Sequence, residues 1–149
     1  MAFATPSLKG RALRLLSQRE HSRAELERKL AKYEEEPGTL AAALDELAAK
    51  DFISEVRVVQ SVLHQQAPRL GALRVRQALQ QKGIAPAAIA DAVAGLRDTE
   101  LERALAVWRR RFAAPPGDAQ ARARHARFLL ARGFSGGVVA RVLKADFEE

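Results

Sequence analysis

Apolar residues recur along the chain at the three- and four-residue spacing of helix faces, and the runs are separated by polar or Gly/Pro-containing breaks. Leu8, Ala12, Leu15 and Leu16 predict a first helix. "SRAE", residues 22–25, has the form of a capping box, in which a serine hydroxyl and a glutamate satisfy free N–H groups at a helix start. Leu26, Leu30 and Tyr33 would line the face of that second helix, which "EEEPGT" ends. Thr39 is the expected N-cap of a third helix, with Leu40, Leu44 and Leu47 on its face. "AAKDFIS" ends it.

The plan then repeats. Val56, Val59, Val62 and Leu63 predict a fourth helix, "APRLG" a loop, and Leu73, Val75 and Leu79 a fifth helix. Gly83 ends the fifth helix, Ile84 supplies an apolar contact back onto Leu79, and Pro86 opens a sixth helix carrying Ile89, Val93 and Leu96. Thr99 and Glu102 fit another capping box, ahead of Leu101, Leu105, Trp108 and Phe112. After "AAPPGD", Asp118 would cap a helix over residues 119–132 that carries Phe128 and Leu129. Gly133 and Phe134 repeat the roles of Gly83 and Ile84, and Ser135 would cap a last helix with Val138, Val139, Val142 and Leu143.

"LQQKGIAPAAI" (residues 79–89) and "LLARGFSGGVV" (residues 129–139) are thus the same punctuation, the join between the second and third helices of a repeat. The interval of roughly 45–50 residues is that of helical repeats. A module of that length is too small for a secure core of its own, so neighbours must share apolar surface. The expected fold is all-α: an elongated tandem array of three three-helix, helix-turn-helix-like repeats over residues 1–53, 54–98 and 99–149.

Composition agrees with helices. The 149 residues are 48% hydrophobic but only 5% aromatic. Cysteine is absent, which removes disulfides and thiolate sites. No apolar run approaches a membrane span and no signal-peptide core is present, so a cytoplasmic protein is expected. The net charge of +7 is unevenly placed. Residues 1–53 hold nine basic and nine acidic side chains, whereas residues 103–144 hold ten basic ones against the single acid Asp118. Such a block points to a polyanion or an acidic protein surface as partner of the later repeats.

Catalytic patterns are missing. His21, His64 and His125 are far apart and have no metal-binding spacing, so surface or helix-edge positions are expected for them. No phosphate-loop motif occurs, the glycines are explained by helix ends, and Trp108 is expected in a core. Neither an enzyme nor a metal or other cofactor is expected.

The stretch "DFISEVRVVQSVLHQQAPRLGALRVRQALQQKGI", residues 51–84, resembles the central segment of the RecX family. Phe52 and Ile53 match its apolar pair and Arg57 its basic position; Arg69, Gly71, Val75, Leu79, Lys82 and Gly83 match the rest. "RALRLLSQREHSRAELERKL", residues 11–30, is similar to the family's first module. The sequence departs from the pattern at Asp51, where glycine is usual, at Ser54–Glu55, where two acids are usual, and at Val58, where an aromatic is usual.

The resemblance implies a regulator that binds RecA–DNA filaments in their helical groove, bridges protomers, and lowers ATPase, strand-exchange and repressor-cleavage activities. A monomer with weak, nonspecific contact to single- and double-stranded DNA, and no membrane partner, is expected. The candidate partner or DNA contacts are Arg57, Arg69, Arg74, Arg76 and Lys82 from the matching segment. Arg109, Arg110, Arg122, Arg124, Arg127 and Arg132 from the third repeat complete the set. The competing reading is a stand-alone DNA-binding protein. Its third helices are poor in base-reading side chains, which disfavours sequence-specific readout. A helical scaffold for some other acidic protein is a third reading.

Overall fold

The computed structural model describes residues 5–148, and side chains through Lys144. The regular elements among the described residues are all helices. The order is α1 (Leu8–Gln18), α2 (Arg23–Leu30), α3 (Thr39–Ala49), α4 (Glu55–Gln66), α5 (Ala72–Gln81), α6 (Pro86–Arg97), α7 (Glu100–Arg111), α8 (Ala119–Ala131) and α9 (Gly136–Glu148). A 3-10 turn, Ala31–Tyr33, follows α2. The helices form three successive sets of three. The chain divides into two compact units: one runs up to Ser61 and takes in Lys82–Ile84, and the other comprises Val62–Gln81 and the residues from Ala85 on.

In the first unit α1, α2 and α3 pack on one another. Ala12, Leu26, Leu30, Leu40, Leu44 and Leu47 are buried, flanked by Leu8, Leu13, Leu15, Leu16 and Ile53. The capping box forms as expected: Ser22 Oγ accepts from the Glu25 N–H and the Glu25 carboxylate accepts from the Ser22 N–H. Two expectations fail. Tyr33 falls in the 3-10 turn and is exposed, with the Arg11 guanidinium 3.7 Å from its ring centroid. Thr39 does not cap α3; its hydroxyl donates to the Glu36 carbonyl, and the Leu40 N–H is taken by Glu34 Oε2 at 2.8 Å. The chain enters α3 through Gly38 at φ +89°, which keeps the Thr39 side chain out of capping position.

The α3 exit explains the Asp51 departure. Asp51 has φ +65°, the Phe52 N–H reaches back to the Leu47 carbonyl at 2.9 Å, and the Asp51 N–H reaches Ala48 at 3.0 Å. This is a Schellman cap, whose left-handed position normally takes glycine. Aspartate tolerates that conformation better than most residues, and here Arg57 holds it: Nη1 lies 3.0 Å from Asp51 Oδ2 and Nη2 2.6 Å from the Asp51 carbonyl.

Along α4 the buried face differs from the expected one. Val58 and Val62 are buried, while Val56 is 65% exposed. Valines at 56, 58 and 59 fit more than one helical stripe, and residues two apart point to opposite sides of a helix.

In the second unit Ala72, Val75 and Leu79 form the buried face of α5, and Leu73, on the same helix, is half-exposed. Pro86 opens α6, and Ile89, Val93 and Leu96 are buried as expected. Thr99 makes no capping box. Its hydroxyl donates to Leu96, Glu102 stays exposed, and the buried acid is Glu100, whose Oε1 accepts the Ala72 N–H at the start of α5. Ala104, Val107, Trp108, Leu129, Phe134, Val139, Val142 and Leu143 make a core across α7, α8 and α9. Asp118 caps α8 through the Ala121 N–H at 2.7 Å, and Ser135 caps α9 through the Val138 N–H at 3.2 Å.

The ends of α5 and α8 meet backbone to backbone. The Gly71 N–H donates to the Arg132 carbonyl at 2.8 Å and the Leu73 N–H to the Gly133 carbonyl at 3.2 Å. A Cβ on Gly71 would lie 2.3 Å from the Gly133 carbonyl carbon and oxygen. Glycine at 71 is therefore a packing requirement, and Gly133, at φ +91°, is a conformational one.

Candidate functional site

Three of the sequence-selected arginines of the second unit, Arg69, Arg110 and Arg132, gather with Arg111 at the ends of α7 and α8. Arg69, Arg110, Arg111 and Arg132 surround a groove of about 250 Å³ whose apolar wall is Val107 and Phe128. Arg110 is steadied by a 3.2 Å bond from Nη2 to the Pro68 carbonyl. Arg132 lies 4.9 Å and Arg111 5.8 Å from the Phe128 ring centroid. Stacked guanidinium groups lose little further freedom when they bind an anion.

Arg74 and Arg76 are set differently. Arg74 Nη1 donates to the Ala131 carbonyl at 2.9 Å, and its stem lies against Gly133. Arg76 and Arg97 border a second groove, of about 370 Å³, with Leu73, Glu100, Ser135 and Val138. Arg109 is exposed in the last turn of α7. Arg122, Arg124 and Arg127 are exposed on α8; helical spacing puts Arg124 and Arg127 on one side and Arg122 further round. None of Arg69, Arg74, Arg76, Arg122, Arg124, Arg127 and Arg132 has an acidic side chain within 4 Å among the described residues.

Two other selected residues are occupied inside the first unit. Arg57 pairs with Glu20 at 2.8 Å as well as with Asp51. Lys82 Nζ pairs with buried Glu25 at 3.1 Å, and the Lys82 carbonyl accepts the Ser22 hydroxyl. Arg103, passed over by the sequence reading, turns inward: it donates to the carbonyls of Ala67 at 2.7 Å, Leu70 at 2.8 Å and Leu96 at 3.1 Å. Burial pushes its guanidinium below the ordinary arginine value, against the opposing pull of Glu100.

The first unit holds a basic feature that its balanced charge concealed. Arg11, Arg14, Arg28, Lys29 and Lys32 line a groove of about 460 Å³ with Pro6, Gly10, Leu15, Gln18, Leu30 and Tyr33. No acid lines it. Six of the unit's acids pair elsewhere: Glu46 with Lys9 and Lys50, Asp45 and Glu27 with Arg23, Glu20 and Asp51 with Arg57, Glu25 with Arg19 and Lys82. The only available sequence signal was the α1 and α2 spacing of these cations, and it is lost in a net charge summed over 53 residues.

The histidines correct an expectation. His64 is exposed, but His21 and His125 are buried. His125 Nδ1 accepts the Trp108 indole N–H at 3.0 Å, and its ring stacks on Phe112 at 3.7 Å. Burial lowers the His125 pKa, helped by Arg124 and Arg111. Burial also lowers that of His21, which lies 3.0 Å from the Arg19 carbonyl and 3.1 Å from Lys29 Nζ. Trp108 is buried in a core, as expected. Among the described residues no group of three His, Asp or Glu side chains is placed to hold a metal, and no helix is long and apolar enough to cross a membrane.

Comparison with known proteins agrees along the chain. Family models for the first, second and third three-helix domains of RecX match residues 9–47, 54–93 and 98–143. A regulatory protein RecX of Leptothrix cholodnii is 54% identical over 143 residues, covering 95% of this chain and 91% of that protein. One from Ralstonia nicotianae is 46% identical, covering 93% and 87%, and one from Herminiimonas arsenicoxydans 43% identical, covering 99% and 98%. The crystal structure of RecX from Lactobacillus salivarius shares the fold, with a TM-score of 0.81 at 19% identity over 95% of this chain and 96% of that one.

Proposed function

Because the chain belongs to the RecX family, we propose that it is a regulator of the RecA recombinase, binding in the groove of the RecA–DNA filament and lowering its activity. The supporting observation is the cluster of Arg69, Arg110, Arg111 and Arg132 at one groove, each of them stacked or hydrogen-bonded in place. Preorganised guanidinium groups without acidic partners among the described residues suit phosphate or carboxylate. Arg76, Arg122, Arg124 and Arg127 extend the basic surface, whereas Arg57 and Lys82 have their charge engaged internally. In this reading the protein is a cytoplasmic monomer that binds rather than catalyses. It comprises repeats bounded at 53/54 and 98/99, and its contact with DNA is weak and nonspecific.

The test is the RecA ATPase on single-stranded DNA, titrated with this protein at fixed salt. Inhibition well below one molecule per RecA protomer is expected, since a bound molecule acts on several subunits. Changing Arg69, Arg110 and Arg132 to Gln should raise the half-inhibitory concentration about tenfold, equivalent to about 1.4 kcal/mol, with the helical circular dichroism unchanged. An ATPase unaffected at several-fold excess removes the proposal. Exposed Arg122, Arg124 and Arg127 favour stand-alone DNA binding as the second reading. That reading requires a steep salt dependence, roughly 0.9 log units per log salt for each duplex phosphate neutralised.

A further inference from the structure

We propose that the groove between α1 and the α2–turn segment is a docking site for an acidic peptide segment of a partner protein, one that carries apolar side chains between its carboxylates. The proposal uses no residue of the arginine cluster assigned to the filament.

Three observations select this occupant. First, the rim is cationic and unneutralised: among the described residues Arg11, Arg14 and Lys32 have no carboxylate within 4 Å, although the same unit pairs six of its acids with other bases. Glu35 and Glu36 border a neighbouring hollow that shares Pro6, Arg11, Lys32 and Tyr33 with this groove, but neither lies within 4 Å of those cations. Cations gathered on a concave wall without counter-charges raise the local concentration of an anionic ligand. Second, the floor is apolar, formed by Leu15 and Leu30. A sugar-phosphate backbone has nothing to bury there, whereas a leucine side chain does. Third, Tyr33 is not free to stack on a nucleobase through both faces, because the Arg11 guanidinium sits 3.7 Å from its centroid. That stacking holds the Arg11 fork in place for a bidentate carboxylate contact.

The test uses the full-length protein and fluorescence anisotropy. The probes are a fluorescein-labelled peptide with two leucines between runs of glutamate, the same peptide with serine for leucine, and a short labelled oligothymidylate. Saturable binding of the leucine peptide is expected, with the serine peptide at least tenfold weaker. Arg11→Gln, Arg14→Gln and Lys32→Gln combined should weaken the leucine peptide about tenfold and leave the oligothymidylate affinity unchanged. Arg14→Glu alone, at an exposed helical position, should act in the same direction without touching the fold. The proposal is overturned if the leucine peptide does not bind, or if the serine peptide binds equally well. It is also overturned if the groove variants lose the oligonucleotide and keep the peptide, which would make the occupant a nucleic-acid strand. None of these outcomes depends on RecA.

Discussion

At Glu25 three donors converge on one carboxylate: Arg19 Nη2 at 2.7 Å, the Ser22 N–H at 3.0 Å and Lys82 Nζ at 3.1 Å. Burial alone would raise this carboxyl, but the donors outweigh it and hold it at about 2. A carboxyl whose folded pKa is depressed contributes stability above its unfolded value, and that contribution is lost as pH falls toward the folded one. Glu25→Gln should therefore cost about 2 kcal/mol at pH 7 in urea unfolding. The gap to wild type should narrow as pH drops from about 4.5 toward 2, while a gap independent of pH would show the charge to be irrelevant. The capping box of Ser22 and Glu25 is legible because its members are three residues apart. Lys82 is not, because the pair it forms spans 57 positions and only the folded chain brings Lys82–Ile84 beside α2.

Among elements, the join of α5 to α8 governs the second unit. The N-terminal N–H groups of α5 normally need capping. Here two are satisfied by the carbonyls of Arg132 and Gly133 and a third by Glu100. Gly71→Ala puts a methyl group into the Gly133 peptide and must separate the two backbones. It should cost roughly 2–4 kcal/mol, from overpacking plus two strained hydrogen bonds. Thermal unfolding of the variant measures this; a midpoint within a degree of wild type would mean that the join yields easily. The repeated "KGI" and "RGF" punctuation identified Gly83 and Gly133 as helix ends from sequence alone. Gly71 read only as a loop breaker, because its requirement comes from a strand of backbone about sixty residues away.

At the scale of the whole molecule, each unit encloses one neutral imidazole, His21 in the first and His125 in the second. Burial lowers both pKa values, with Arg19 and Lys29 adding at His21 and Arg124 and Arg111 at His125. The unfolded chain then takes up protons near pH 6.5 that the folded chain refuses, so stability is full above that pH and falls below it. Denaturant midpoints should drop between pH 7.5 and 5.5, and His125→Gln should remove part of the drop. A midpoint that rises on acidification would contradict the assignment. The three spaced histidines offered no hint of this, since the same spacing serves buried and exposed positions.

The sequence by itself determined the all-α class, the succession of helices in threes, their glycine ends, and most of their buried leucines. Those features depend on residues within about one helix turn of one another, where periodicity and capping chemistry act. Tertiary structure decided which of several valines on α4 faces inward, that Glu34 rather than Thr39 caps α3, and that Glu100 reaches across to α5 while Thr99 makes no cap on α7. It also decided which cations stand unpaired. A basic side chain becomes a site or a strut according to whether an acid from a distant helix reaches it, as Glu25 reaches Lys82 and none among the described residues reaches Arg14. That pairing is settled by packing over tens of residues, which a charge count along the chain does not register.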